Sequence, residues 1–157
     1  MEKKSMIIMG VIIIVIILIA FMGVSKFSST ESSDSSTVRV GNVNFKIPEG
    51  FHEEDNDKST DIKLTDGKHS ILLNAYNGRN ATAYAEEYLN SQNSSAKFSN
   101  FTIGDKIVYR VANNSSGSVN YWYAHNDKVY KFSTWGSYDK SDSTVISLIE
   151  SMNSTST

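Results

Sequence analysis

A run of uncharged, mostly aliphatic residues, 6–24, is the longest hydrophobic stretch of the chain. At about 1.5 Å rise per residue, these nineteen residues would form a helix of roughly 28 Å, close to the ~30 Å hydrocarbon thickness of a bilayer. A cleaved signal peptide is the alternative, but its apolar region usually spans only about 7–15 residues. The pattern therefore predicts one N-terminal transmembrane helix that anchors the chain.

The charges beside this stretch predict its orientation. Lys3 and Lys4 precede it, and Lys26 alone follows closely. Positive charge favours the cytoplasmic side, so we expect residues 1–5 in the cytoplasm and the C-terminal domain outside a single-pass cell membrane. Residues 25–37 are mostly Ser and Thr and predict a flexible linker.

Residues 38–152 alternate between strand-like and helical periodicity. A period-two pattern over 38–47 predicts a half-buried strand, and two more strands are predicted at 61–64 and 69–75. Helical spacing follows Asn80, a good N-cap residue. Further strands are predicted at 98–103, 106–112, 119–125 and 128–135, and a closing helix begins at Ser141 or Asp142. We expect 153–157 to be a disordered tail.

This order predicts an α+β domain, with an antiparallel sheet of about six to seven strands and two helices packed on it. The chain has no Cys, which excludes disulfides, thiol catalysis and Cys-based metal sites. Its net charge of −2 comes without a basic block, which disfavours nucleic acid as a partner. No cofactor motif is present in the sequence.

Two segments carry a resemblance to PsbP-like domains. Residues 43–51 have the succession of strand, Pro48, turn and aromatic Phe51, and residues 101–111 are similar to the central hairpin of that family. The closing helix also fits. The resemblance implies an accessory or binding module and transfers no ligand residues, because it lies in core and turn positions.

The acidic stretch after Phe51 has part of the pattern of a twelve-residue calcium-binding loop. Four aspartates fall at loop positions 1, 3, 7 and 12: Asp55, Asp57, Asp61 and Asp66. However, Thr60 stands where the sharp turn needs Gly, and Asp66 stands where a bidentate Glu is expected. A solvated surface loop is therefore the favoured interpretation, with these aspartates as the candidate metal ligands.

An aromatic hairpin is predicted around the turn Asn126-Asp127. One face pairs Tyr121 with Phe132 and Tyr123 with Tyr130, which predicts core packing. The other face pairs Trp122 with Lys131, and Trp135 lies further along. That face is interpreted either as a cation–π contact on an exposed sheet or as a platform for an envelope glycan or peptide. Its candidate binding residues are Trp122, Lys131 and Trp135.

Catalytic signatures are missing from the sequence. The three histidines, His52, His69 and His125, lack ligand spacing. Six Asn-X-Ser/Thr sequons are candidates for glycosylation: Asn80, Asn93, Asn100, Asn113, Asn114 and Asn153. The leading hypothesis is a membrane-anchored extracytoplasmic binding or accessory module of the cell envelope, with an envelope protein or glycan as partner. The alternative is a hydrolase-like enzyme with a dispersed active site.

Overall fold

The computed structural model describes residues 36–55, 61–135 and 140–152. The predicted cytoplasmic segment 1–5, the membrane span 6–24, most of the linker and the tail 153–157 lie outside these ranges. The strands are β1 (Thr37–Val40), β2 (Val43–Lys46), β3 (His52–Glu54), β4 (Ile62–Thr65), β5 (Ser70–Asn77), β6 (Ala96–Ile103), β7 (Lys106–Asn113), β8 (Ser118–His125) and β9 (Lys128–Thr134). The helices are α1 (Ala81–Ser91) and α2 (Ser141–Met152).

Seven strands form one antiparallel sheet in the order β3-β4-β5-β9-β8-β7-β6. Among the described strands, β1 and β2 pair only with each other, as a separate two-stranded sheet. The predicted α+β class, with its antiparallel sheet and two helices, is confirmed. Within the described ranges, neither helix is long and apolar enough to cross a bilayer.

Both faces of the large sheet are covered, by different elements. On one face, α2 and the β1–β2 hairpin enclose the main core, in which Phe45 makes edge-to-face contacts with Tyr130 and Phe132. On the other face, α1 packs through small residues, including Ala81 and Ala85, onto strands β7 and β8. Because α1 lies mainly over β7 and β8, the surface of β5 and β9 on this face of the sheet lies next to the helix and not beneath it.

The turns follow from residues that accept unusual backbone angles. Gly104 (φ 61°) and Asn126 (φ 54°) open the two-residue turns of the β6–β7 and β8–β9 hairpins. The observed β8–β9 register pairs Tyr121 with Phe132 and Trp122 with Lys131, as the sequence predicted.

Two details of the predicted fold are wrong. The alternation over 38–47 forms two strands instead of one, because Gly41 (φ 62°) turns the chain between Val40 and Val43. A Cβ at Gly41 would lie 3.0 Å from the Cβ of Ala75, so the backbone needs a glycine there. The acidic stretch also begins with strand β3, which was predicted to be loop. All three β3 residues are exposed, and no hydrophobic alternation marks them.

Candidate functional site

A groove of about 330 Å³ runs along one side of α1, between the helix and strands β5, β8 and β9. The helix contributes Tyr84, Glu87, Tyr88 and Ser91, whose spacing of three and four residues places them on one side of the helix. The sheet contributes Tyr76, Trp122 and Lys131. As far as the structure describes its lining, the groove therefore has mostly aromatic walls and a single lysine.

Lys131 is the chemical centre of the groove. Its Nζ lies 4.8 Å from the ring centroid of Tyr88 and 5.6 Å from that of Trp122, both within cation–π range. Burial lowers the pKa of Lys131, and the negative charge of Asp61 acts in the opposite direction. Among the described carboxylates, none forms an ion pair with Lys131. The ammonium group is thus half desolvated and held mainly by aromatic faces.

A stacked tyrosine pair forms the wall at one end. The rings of Tyr76 and Tyr84 are 5.4 Å apart and 26° from parallel. The hydroxyl of Tyr84 donates to the carbonyl oxygen of Asn77 at 3.0 Å, which fixes the ring beside the sheet. Burial, followed by the charge of Asp61, raises the pKa of Tyr76. This wall is preorganised, because both helix and sheet hold it.

A buried polar network positions Tyr88 over Lys131. The Nδ2 of Asn120 donates to the Tyr88 hydroxyl at 3.1 Å, and the Ser133 hydroxyl donates to Asn120 Oδ1 at 2.7 Å. Asn120 and Ser133 are both buried. Since a buried amide is costly to leave unpaired, this network holds α1 at a defined position on the sheet.

Of the predicted binding residues, the structure brings together only two. Trp122 and Lys131 make the predicted cation–π contact, but Trp122 is only 2% exposed, because Tyr88 of α1 covers it at a centroid distance of 5.2 Å. The interpretation of an open Trp122 face is therefore wrong at that residue. Trp135 is 48% exposed at the end of β9 and does not line the groove.

Sequence reasoning missed most of the groove. Tyr84 and Tyr88 belong to the helical apolar spacing that follows Asn80, and no role was predicted for Tyr76, Glu87 or Ser91. One feature of the helix sequence points to the groove. Its two large residues with polar ends, Tyr84 and Tyr88, accompany alanines, and the alanines are the residues that the fold buries completely. Large amphipathic rings beside small core residues indicate that the edge of the helix stands away from the sheet.

The aspartates proposed for calcium do not assemble as a metal site in the described part of the chain. Asp66 Oδ1 instead accepts the backbone N–H groups of Lys68 (2.8 Å) and His69 (2.6 Å), and its Oδ2 lies 2.9 Å from His69 Nδ1. The hydrogen bond from the His69 side chain is the main reason that the pKa of Asp66 lies well below its usual range. No three Asp, Glu or His residues converge within the described ranges, and Asp57 lies outside them. Asp55 follows β3 as an exposed residue.

The sequons differ in what their asparagines do. Asn80 caps α1, with its Oδ1 accepting the N–H of Ala83 at 3.1 Å, while Asn93 Oδ1 accepts the N–H of Ser95 at 3.2 Å. Asn113 is buried and accepts the N–H of Ser115 at 3.0 Å. Asn100 and Asn114 are exposed, and Asn153 is outside the described ranges. Glycosylation stays a prediction.

The histidines remain apart from the groove. His52 is in β3, His69 pairs with Asp66, and His125 ends β8. His125 Nδ1 lies 3.4 Å from the Nζ of Lys106. Burial and then the positive charge of Lys106 lower the pKa of His125. Neither His125 nor Lys106 lines the groove.

No protein-family model and no curated protein matches this sequence. Among solved structures, the chain is similar to the solution structure of cyanobacterial PsbP (CyanoP) from Synechocystis sp. PCC 6803. The similarity covers 81% of this chain and 95% of that chain, at 15% identity and a TM-score of 0.47. At this identity and TM-score, the likeness carries no information on function.

Proposed function

We propose that this chain is a membrane-anchored, extracytoplasmic binding module of the cell envelope, and that the groove beside α1 is its ligand site. The observation that carries the proposal is Lys131, a half-desolvated cation that lies over the rings of both Tyr88 and Trp122 without an ion-pair partner among the described residues. A bound anion would compensate the lysine for its lost hydration.

The groove is better suited to binding than to catalysis. The described residues that line it include no histidine, and the hydroxyl of Ser91 donates to the carbonyl oxygen of Tyr88 at 2.7 Å instead of to a base. Among the described residues that line it, Glu87 supplies the single carboxyl group. A hydrolase would need a nucleophile with its base, or a pair of carboxyl groups, in hydrogen-bond reach of the same substrate.

The architecture favours a saccharide over an extended peptide as the ligand. Strands β8 and β9 lie inside the sheet with neighbours on both sides, so the groove floor offers no free backbone groups to pair with a peptide. A sugar ring needs none. Its apolar face can lie against the tyrosine rings of the groove, while its hydroxyl groups reach Glu87 and Ser91. Together with Lys131, these groups fit an anionic saccharide of the envelope.

Titration of the full-length chain in detergent micelles tests this site. In a Trp135→Phe background, Trp122 is the only tryptophan and reports on the groove by its fluorescence. The probes are trigalacturonate for a carboxylate, mannose 6-phosphate for a phosphate, and maltotriose as the neutral saccharide. We expect saturable binding of an anionic probe, weakened at least tenfold by Lys131→Met, since a hydrogen bond to a charged group contributes about 1.5–3 kcal/mol.

Lys63→Met is the matched control. Lys63 pairs with Glu54 at 2.8 Å and does not line the groove, so its loss should leave binding unchanged. Equal binding of maltotriose would show that the lysine does not select an anion. No saturable response from any probe, with the fold intact by circular dichroism, would contradict a saccharide site.

A further inference from the structure

Strand β6 forms one edge of the seven-stranded sheet. It pairs with β7 at all eight of its positions, from Ala96↔Asn113 to Ile103↔Lys106, without a bulge. No described strand lies on its other side. Most of its residues are exposed. A regular edge of this length presents a row of backbone groups that a further strand can pair with.

The opposite edge of the sheet is protected in a way that β6 is not. Strand β3 is three residues long and carries Glu53 and Glu54, both exposed. Short, charged edges resist pairing with other chains. Strand β6 has a single charge, Lys97, and its aromatic residues include Phe98, which is 37% exposed. The two edges therefore differ in length, charge and hydrophobicity, all in the direction that favours pairing at β6.

The β6–β7 turn determines which backbone groups point outward. Ile103 and Lys106 flank a two-residue turn, and such flanking residues form a hydrogen-bonded pair. Counting back from Ile103, every second residue of β6 therefore also directs its backbone N–H and C=O groups at β7. The residues between them direct these backbone groups away from β7, toward the open edge: Ala96, Phe98, Asn100 and Thr102.

We propose that β6 pairs antiparallel with β6 of a second copy of this chain. A two-fold axis perpendicular to the sheet makes β6 antiparallel to β6 of the partner subunit. The two sheets then continue into one another, with the same face of each on the same side. An axis through Asn100 puts Phe98 opposite Thr102 of the partner subunit. Lys97 then lies opposite Ile103 of the partner subunit, so no like charges meet. Copies anchored in one membrane are also confined near each other, which favours association.

Disulfide scanning of the full-length chain in membranes tests this pairing, because the chain has no native cysteine. In a hydrogen-bonded antiparallel pair, the Cα atoms of directly opposite residues are about 5.5 Å apart, which suits a disulfide between the two copies of position 100. We expect Asn100→Cys to give a disulfide-linked dimer on a non-reducing gel after mild oxidation. Single cysteines at the other positions from Phe98 to Thr102 locate the axis if the register is shifted.

Glu53→Cys, on the protected edge β3, is the matched control and should crosslink at least fivefold less. A second variant uses the backbone: Phe98→Pro in the Asn100→Cys chain removes an outward N–H without removing a β6–β7 hydrogen bond, and should reduce the dimer at least fivefold. Equal crosslinking at Glu53, no dimer anywhere along β6 in a folded chain, or a glycan on Asn100 of the native chain would each overturn the proposal. None of these outcomes depends on the groove ligand.

Discussion

Trp122 shows how one residue connects the two sides of the domain. Its neighbours in β8, Tyr121 and Tyr123, point into the core under α2, while Trp122 points to α1. It contacts Tyr88 from the helix and Lys131 from β9, so it is at once the floor of the groove and the centre of the smaller core. Its contribution to binding therefore cannot be separated from its contribution to packing by simple deletion.

We expect Trp122→Ala to lower the free energy of unfolding by about 3–5 kcal/mol, as much as Phe132→Ala on the opposite face. Both side chains are fully buried, and their removal leaves cavities. Urea denaturation of the chain in detergent measures both losses. Trp135→Ala, at a residue that is 48% exposed, is the control and should change stability by less than about 0.5 kcal/mol. A mild loss at Trp122 would mean that α1 does not cover this face in solution.

At the scale of elements, α1 is the part of the fold on which the groove depends. One side of it packs onto the sheet with alanines, and its neighbouring side carries Tyr84, Glu87, Tyr88 and Ser91. The position at which the helix starts sets where these side chains lie. Asn80 sets that start, because its side chain accepts a backbone N–H in the first turn.

Substituting Asn80 separates capping from glycosylation. Asn80→Ala should cost about 1 kcal/mol of stability, the usual loss on removing an N-cap side chain, whereas Asn80→Asp keeps an oxygen acceptor and should cost little. Both variants remove the sequon. Thermal or urea unfolding distinguishes them, and equal losses in the two variants would point to an attached glycan and not to the cap.

Sequence alone was sufficient for elements with a strong local signal. The turn at Asn126-Asp127 determined the β8–β9 register, and Asn80 with its helical spacing determined α1. It was not sufficient for β3, which has no buried residue to mark it. It also failed at Trp122, because that residue shares its face of β8 with polar Ser118 and Asn120, and β8 alone does not show that Tyr88 of α1 covers it. The groove was also out of reach, since it joins residues of α1 to β5 and β9, far apart in the chain.

At the scale of the whole molecule, the proposed location rests on residues 6–24. A lysine at the centre of a spanning helix costs about 2.5–3.5 kcal/mol, so Ile14→Lys should reduce the membrane-bound fraction of the chain. Cell fractionation and immunoblotting measure this, with a conservative Ile14→Leu as control. Wild-type chain recovered free of membrane, with a new N-terminus near Lys26, would instead indicate a cleaved signal peptide.

The separation of the β1–β2 hairpin from the large sheet has a mechanical consequence in the proposed tethered state. Tension along the tether would enter at Thr37, which lies opposite Lys46, where the hairpin continues into the rest of the domain. Pulling on two ends at the same side of a hairpin breaks its hydrogen bonds one at a time. The hairpin is held to the domain by side chains such as Phe45, so it would yield before the seven-stranded sheet. Its ten residues would then lengthen the tether by roughly 30 Å, and the core would lose the packing of Phe45 on Tyr130 and Phe132.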